Sequence, residues 1–83
     1  MTRWNQFVPE FIEYDFDNDE LHAHRLTIDE AVQCFYNKFV IQRNKSFQDR
    51  FKLIGITDAG RNLCIIFQLK KKSTVRIITG WEV

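Results

Sequence analysis

Glycine, proline and cysteine are scarce in this chain, and each scarcity excludes a class of protein. Three glycines and one proline among 83 residues argue against a disordered or fibrous chain. Two cysteines, Cys34 and Cys64, are too few for a disulfide scaffold or a zinc site, so we expect reduced thiols buried by packing, and no metal. No apolar run approaches the roughly 20 residues of a membrane span, and the first residues lack the apolar stretch of a signal peptide. The sequence therefore predicts a cytoplasmic protein that makes no membrane contact.

The length predicts a single domain over residues 1–83, because a chain of this size buries only about 60% of its unfolded surface and supports one thin core. The net charge of +1 conceals a split along the chain. Residues 1–30 carry eight acidic and two basic side chains, whereas residues 31–83 carry ten basic and three acidic ones. Two interpretations stay open: a basic face that attracts phosphate or an acidic partner, and two solvated faces that neutralise each other.

The N-terminal half predicts an edge strand followed by one or two helices. Residues 7–14 alternate imperfectly and contain Pro9, which cannot donate to a strand ladder, so we expect a strand at the edge of a sheet. Residues 17–24 weakly predict a short first helix. Thr27 and Glu30 have the spacing of a capping box, and the apolar spacing after them predicts a second helix to about Tyr36.

The C-terminal half predicts a meander of four strands, beginning with a short strand over residues 39–41. Residues 50–57 alternate, residues 63–69 are nearly all apolar and predict a central strand covered on both faces, and residues 75–81 form the last strand. The turns at 58–60 and 70–73 are short, so neighbouring strands are expected to pair antiparallel. The predicted fold is α+β, with one or two N-terminal helices packed on a four-stranded, mainly antiparallel sheet.

An ordered set of short motifs extends over residues 14–79. It consists of Tyr14-Asp15, the histidine segment 22–26, a threonine-started helix with Glu30-Ala31 and Phe35, and the strand motifs DRFKLIG (49–55), DAGRNL (58–63) and VRIIT (75–79). In this order and spacing the set resembles the BrnT-type toxins, small ribonucleases of bacterial toxin–antitoxin pairs with a RelE-like fold. The chain departs from that pattern in the loop at 44–48 and in the first helix, where either His24 or Arg25 stands for the family's histidine.

The resemblance implies a toxin-type, metal-independent endoribonuclease that needs no cofactor. It also implies RNA as the substrate and a protein antitoxin as the partner, typically a ribbon-helix-helix DNA binder that covers the active face. Metal-independent RNA cleavage needs a base for the 2′-hydroxyl, cations for the oxyanion at phosphorus and an acid for the leaving oxygen. Arginine suits the second task, because its planar fork binds two phosphate oxygens and keeps its charge.

The candidate catalytic residues are Arg50, Arg76, Lys52 and His24. The predicted meander brings Arg50 and Arg76 to one edge of the sheet, with Lys52 on the same face as Arg50. Ordinary exposed strand arginines and a surface histidine are the alternatives for these positions. Candidate RNA contacts are Arg61, Lys45 and Arg43, although the position of Arg61 beside a turn favours a turn or partner contact.

A second function stays open on the same fold: a non-catalytic module that binds protein or nucleic acid. An apolar surface near Phe67 and Trp81 would then receive a partner or a second copy in a homodimer. Trp4 and Trp81 are also candidates for stacking on bases, although core or interface positions are commoner for tryptophan in strands. The alternate acids Asp15, Asp17 and Asp19 resemble the start of a calcium loop, but without its glycine and distal glutamate a helix N-terminal role is favoured.

Overall fold

The computed structural model describes residues 9–43, 50–71 and 73–83, which form five strands and two α-helices. Outside these ranges lie Trp4, Lys45 and the first part of the predicted edge strand. For Arg43 the structure describes the backbone but not the side chain. The elements are β1 (Phe11–Tyr14), a 3-10 turn (Phe16–Asn18), α1 (Glu20–Ala23), α2 (Ile28–Tyr36), β2 (Phe39–Arg43), β3 (Arg50–Ile56), β4 (Asn62–Leu69) and β5 (Thr74–Glu82).

The strands form one mixed sheet in the order β1-β5-β4-β3-β2. The predicted antiparallel meander is present as β2 to β5. The predicted α+β class is confirmed, but the strand count of four is wrong, because β1 joins the sheet as a fifth strand and pairs parallel with β5. The two helices between β1 and β2 carry the chain from one edge of the sheet to the other, so the first strand lies beside the last.

Local capping explains where the two helices begin. The Thr27 hydroxyl accepts from the Glu30 N–H at 3.2 Å and Glu30 Oε1 accepts from the Thr27 N–H at 3.1 Å, which confirms the predicted capping box. Asp19 accepts from the His22 N–H at 3.0 Å and caps α1, so this helix begins at Glu20 and not at residue 17. Asp15 caps the preceding 3-10 turn in the same way. The acidic segment is therefore used for helix starts, as expected.

Both helices pack on the same face of the sheet, and the core lies between them and the strands. Alternate residues of β3, β4 and β5 supply the strand half of this core, each at most 6% exposed: Phe51, Leu53, Leu63, Ile65, Phe67, Val75 and Ile77. We call the other side of the sheet the open face. The prediction that β4 is covered on both faces is confirmed only in part: on the open face Cys64 is 2% exposed, whereas Ile66 and Gln68 are half-buried and no described helix lies over them. β4 is nonetheless the central strand.

Two glycines allow the helices to approach the sheet. A Cβ on Gly55 would lie 3.1 Å from the Cβ of Cys34 on α2. A Cβ on Gly80 would lie 3.2 Å from Leu21 Cδ2 on α1, 2.7 Å from Ile65 Cδ1 and 2.9 Å from the Cys64 carbonyl oxygen. The last contact is with backbone, so no side-chain rotation relieves it.

Gly80→Ala is expected to lower the free energy of unfolding by about 1–3 kcal/mol, because the added methyl group overpacks the contact between α1 and β5. Urea denaturation monitored by circular dichroism measures the change. The matched control is Gly60→Asn in the β3–β4 turn, where φ is +90° and a Cβ would meet nothing within 4 Å. Asparagine is among the residues that tolerate positive φ best and has no close contact to relieve here, so the control is expected to lose less stability than Gly80→Ala. Equal midpoints for Gly80→Ala and the native protein would contradict this account of the packing.

Candidate functional site

Strand register arranges the side chains of the open face in rows that run across the sheet. At one end Arg50 pairs with Gln68, and Gln68 pairs with Arg76, on three neighbouring strands. We call these three residues the arginine row. The next row contains Lys52 opposite Ile66, and the one after it places Ile54 opposite Cys64 and Cys64 opposite Trp81. The open face is thus basic at one end and apolar in its middle.

Within the arginine row, Arg50 and Arg76 lie two strands apart. Adjacent strands are separated by about 4.8 Å, so the two backbones are about 10 Å apart with Gln68 between them. Arg76 is exposed and Arg50 is half-buried. Two long arginine side chains on one face at this spacing can both reach a phosphate group placed over Gln68, whose amide supplies a further hydrogen-bond donor.

One carboxylate of the described residues that lies opposite the arginine row is paired with a lysine. Glu13 of β1 lies opposite Arg76, and its Oε1 accepts from Lys70 Nζ at 2.9 Å. Lys70 belongs to the β4–β5 turn, which borders a shallow depression of about 410 Å³ at this end of the sheet. The depression is lined by Glu13, Gln68, Leu69, Lys70, Lys71 and Thr74. Among the described residues, Arg50, Lys52 and Arg76 on the open face and Lys70 and Lys71 in the turn make this end of the sheet rich in basic side chains.

His24 lies away from the arginine row. It is the exposed C-cap of α1, and its ring centroid is 6.4 Å from that of Trp81. The row that contains Trp81 is four residues along β4 from the arginine row, or about 13 Å at roughly 3.3 Å per residue. The structure therefore brings Arg50, Arg76 and Lys52 to one end of the open face and leaves His24 beside the indole.

Arg61 lies at the other end of β3 and β4, where it joins two carboxylates. It is paired with Glu30 of α2, and its Nη2 is 3.1 Å from Glu82 Oε1 at the end of β5. The hydrogen bond from Arg61 holds the pKa of Glu82 below its ordinary value. These pairs connect the start of α2 to the end of the sheet, so an RNA contact by Arg61 would have to compete with both carboxylates.

The cysteines are protonated at neutral pH. Burial raises the pKa of the Cys34 thiol to about 11, and burial also raises that of Cys64, partly offset by the charge of Lys52. The two thiols belong to different environments, since Cys34 lies on α2 above Gly55 and Cys64 lies on the open face beside Ile54 and Trp81. Their geometry favours a packing role over nucleophilic chemistry.

Two features of the open face were missed by sequence reasoning. Gln68 was read as part of an apolar strand, and only the register of β3, β4 and β5 shows that it separates the two arginines. The contact of His24 with Trp81 joins segments 57 residues apart in the chain, so no local pattern indicates it. Gln68 is the one polar residue in the apolar run 63–69, and that exception was the signal available for it.

Comparisons with protein-family models, curated proteins and solved structures found no significant match to this chain. Among the residues that the structure describes, no helix is long and apolar enough to cross a membrane.

Proposed function

We propose that this protein is a metal-independent endoribonuclease of the toxin type, which binds the scissile phosphate of single-stranded RNA at the arginine row. The observation that carries the proposal is the register that places Arg50, Gln68 and Arg76 side by side on the open face. The order of motifs that resembles the BrnT-type toxins supports the same function. A protein antitoxin that covers the open face belongs to the proposal.

In the proposed reaction the two arginines share one task and Lys52 assists them. The 2′-hydroxyl of the RNA gives up its proton and its oxygen attacks the adjacent phosphorus, the bond to the 5′-oxygen breaks, the 5′-oxygen leaves as a hydroxyl by taking up a proton, and a 2′,3′-cyclic phosphate forms. Arg50 and Arg76 stabilise the negative charge that develops on the phosphoryl oxygens, since both keep their charge throughout. Lys52, two residues from Arg50 on the same face, is placed to assist at the phosphate or at a proton transfer.

The charge of this end of the sheet also suits the proposed antitoxin. Arg50, Lys52 and Arg76 share the open face, and Lys70 and Lys71 lie in the adjoining turn. Acidic side chains of a partner would be attracted to the same groups that bind phosphate, because complementary charge speeds association and fixes the register of a complex. Inhibition would then follow from direct competition with RNA.

The test is cleavage of a fluorescently labelled single-stranded RNA in EDTA by the native protein and by an Arg50→Gln, Arg76→Gln double variant. The native protein is expected to cleave and the double variant to leave the RNA intact, with circular dichroism showing that both are folded. Lys38→Gln is the matched control, because Lys38 is an exposed cation next to β2 at the opposite end of the sheet. Equal cleavage by native protein and double variant would refute the assignment of the arginine row.

A second candidate function is a non-catalytic RNA- or protein-binding module on this fold. The separation of His24 from the arginine row favours it, because no histidine then lies at the proposed scissile phosphate. Intact RNA after incubation with folded native protein, together with retained RNA binding that the double variant loses, would favour this module over the endoribonuclease.

A further inference from the structure

The pair formed by Trp81 and His24 lies at a stretch of sheet edge that no described strand covers. β1 pairs with β5 only from Thr74 to Ile77, so Ile78–Glu82 forms an edge beyond it. Gly80 projects toward α1, as its contacts with Leu21 show, and Trp81 therefore projects toward the open face with its register partner Cys64. The turn after α1 then brings the His24 ring to 6.4 Å from the indole, at an angle of 56°.

Trp81 is accessible on the same face as the arginine row. It is half-buried, and the residues between the indole and that row are Cys64, Ile66 and Thr79, none of which is charged. A phosphate backbone held by Arg50 and Arg76 would therefore cross uncharged side chains on its way to the indole. Proteins that bind single-stranded nucleic acid without sequence preference combine two components: cationic groups that bind the phosphates and aromatic rings on which the bases stack.

From this arrangement we infer that Trp81, with His24 at its side, is a base-stacking subsite for the RNA strand whose phosphate occupies the arginine row. The inference rests on the proposed function and specifies its substrate as a single strand with unpaired bases. The two subsites are about 13 Å apart along β4, which is about four nucleotides at roughly 3.4 Å per stacked nucleotide and fewer when the strand is extended. A duplex cannot present a base face to the indole, because its bases are stacked on one another.

This assignment gives His24 a positioning role at a base and not a proton-transfer role at the phosphate. Its ring lies beside the indole, with the ring centroids 6.4 Å apart at an angle of 56°, and so borders the place where a base would stack on Trp81. The positive charge of this face favours nucleic acid over a protein surface that has few acidic side chains. The arginine row and Lys52 lie on the same face as Trp81, at the other end of β4.

The test measures binding of a 2′-O-methyl oligoadenylate hexamer, which lacks the nucleophilic hydroxyl and cannot be cleaved. A Trp4→Phe background leaves Trp81 as the only tryptophan, and fluorescence anisotropy of the labelled hexamer gives the dissociation constant. We expect binding to quench the emission of Trp81. Trp81→Leu is expected to weaken binding about 5- to 150-fold, and Trp81→Phe to weaken it much less, because phenylalanine keeps an aromatic face.

Val40→Ala is the matched control, since Val40 is 59% exposed on the open face at the opposite edge strand. Native affinity in Trp81→Leu together with weakened binding in Arg76→Gln would overturn the stacking subsite and leave the arginine row intact. Absence of hexamer binding by the folded native protein would overturn both. Emission of Trp81 that then shifts with protein concentration would assign the indole to contact between two copies of the chain.

Discussion

Phe67→Ala is expected to lower the free energy of unfolding by about 3–5 kcal/mol, the range found when a fully buried phenylalanine is truncated. Phe67 is 0% exposed on the central strand. Its ring packs edge-on against Phe35 of α2, with centroids 5.2 Å apart, and is stacked on Phe51 of β3 at 5.7 Å. The substitution therefore removes contacts with both the helix layer and the neighbouring strand and leaves a cavity between them.

Urea denaturation followed by circular dichroism measures the loss. A domain of this length has a total stability of only roughly 4–12 kcal/mol, so Phe67→Ala is expected to remove a large share of it. Phe67→Leu refills most of the volume and should lose less, which keeps the comparison informative if the alanine variant fails to fold. Phe11→Ala is the control, because Phe11 is 62% exposed on the edge strand. A Phe67→Ala variant as stable as this control would show that the aromatic cluster is not the centre of the core.

Arg76→Gln is expected to lower the rate of RNA cleavage at saturating substrate by about 10²- to 10³-fold, provided that the protein cleaves RNA as proposed. Arg76 is exposed on β5, so its substitution removes a cation without opening the core. Glutamine retains part of the side-chain length and a hydrogen-bond donor, but it has no charge to offset the negative charge on the phosphoryl oxygens. The rate should therefore fall more than the affinity for substrate.

Single-turnover kinetics with a labelled single-stranded RNA separate these two effects. Arg76→Lys is expected to recover part of the rate, because lysine restores the charge but not the planar fork that binds two oxygens. Lys38→Gln removes one positive charge at the other end of the sheet and should cleave at the native rate, which controls for net charge. If Arg76→Gln and Lys38→Gln cleave equally well, then Arg76 has no part in catalysis.

Local patterns determined much of the secondary structure. The capping box of Thr27 and Glu30 could be predicted from a short stretch of sequence, because its hydrogen bonds join residues three apart. The glycine of the β3–β4 turn could be predicted in the same way, because its positive φ is a property of the turn itself. The alternation in β3 likewise placed Phe51 and Leu53 on one face and Lys52 on the other, and the structure buries the face of Phe51 and Leu53. The weakest local signal, the acidic segment before α1, gave the least accurate helix bounds.

Long-range pairing decided the rest. Nothing local to residues 11–14 indicates that β1 adds parallel to β5, because the hydrogen bonds of that pair connect residues 63 positions apart. The apolar run of β4 predicted burial on both faces, yet no described helix lies over its open face, where Cys64 is buried and Ile66 and Gln68 are half-buried. The hydrophobicity of a strand predicts that it lies in the centre of a sheet, but it does not predict whether helices will cover one face of the sheet or both.

The candidate site divides in the same way. The amino-acid pattern alone predicted that Arg50 and Lys52 share a face and that one or two helices precede a meander, because side-chain direction in a strand alternates with every residue and helix starts depend on local caps. Only the tertiary structure decided that Gln68 separates Arg50 from Arg76, that Arg61 is engaged by Glu30 and Glu82, and that His24 lies beside Trp81. These contacts depend on strand register and on where a helix ends above the sheet, which the packing of the whole chain fixes.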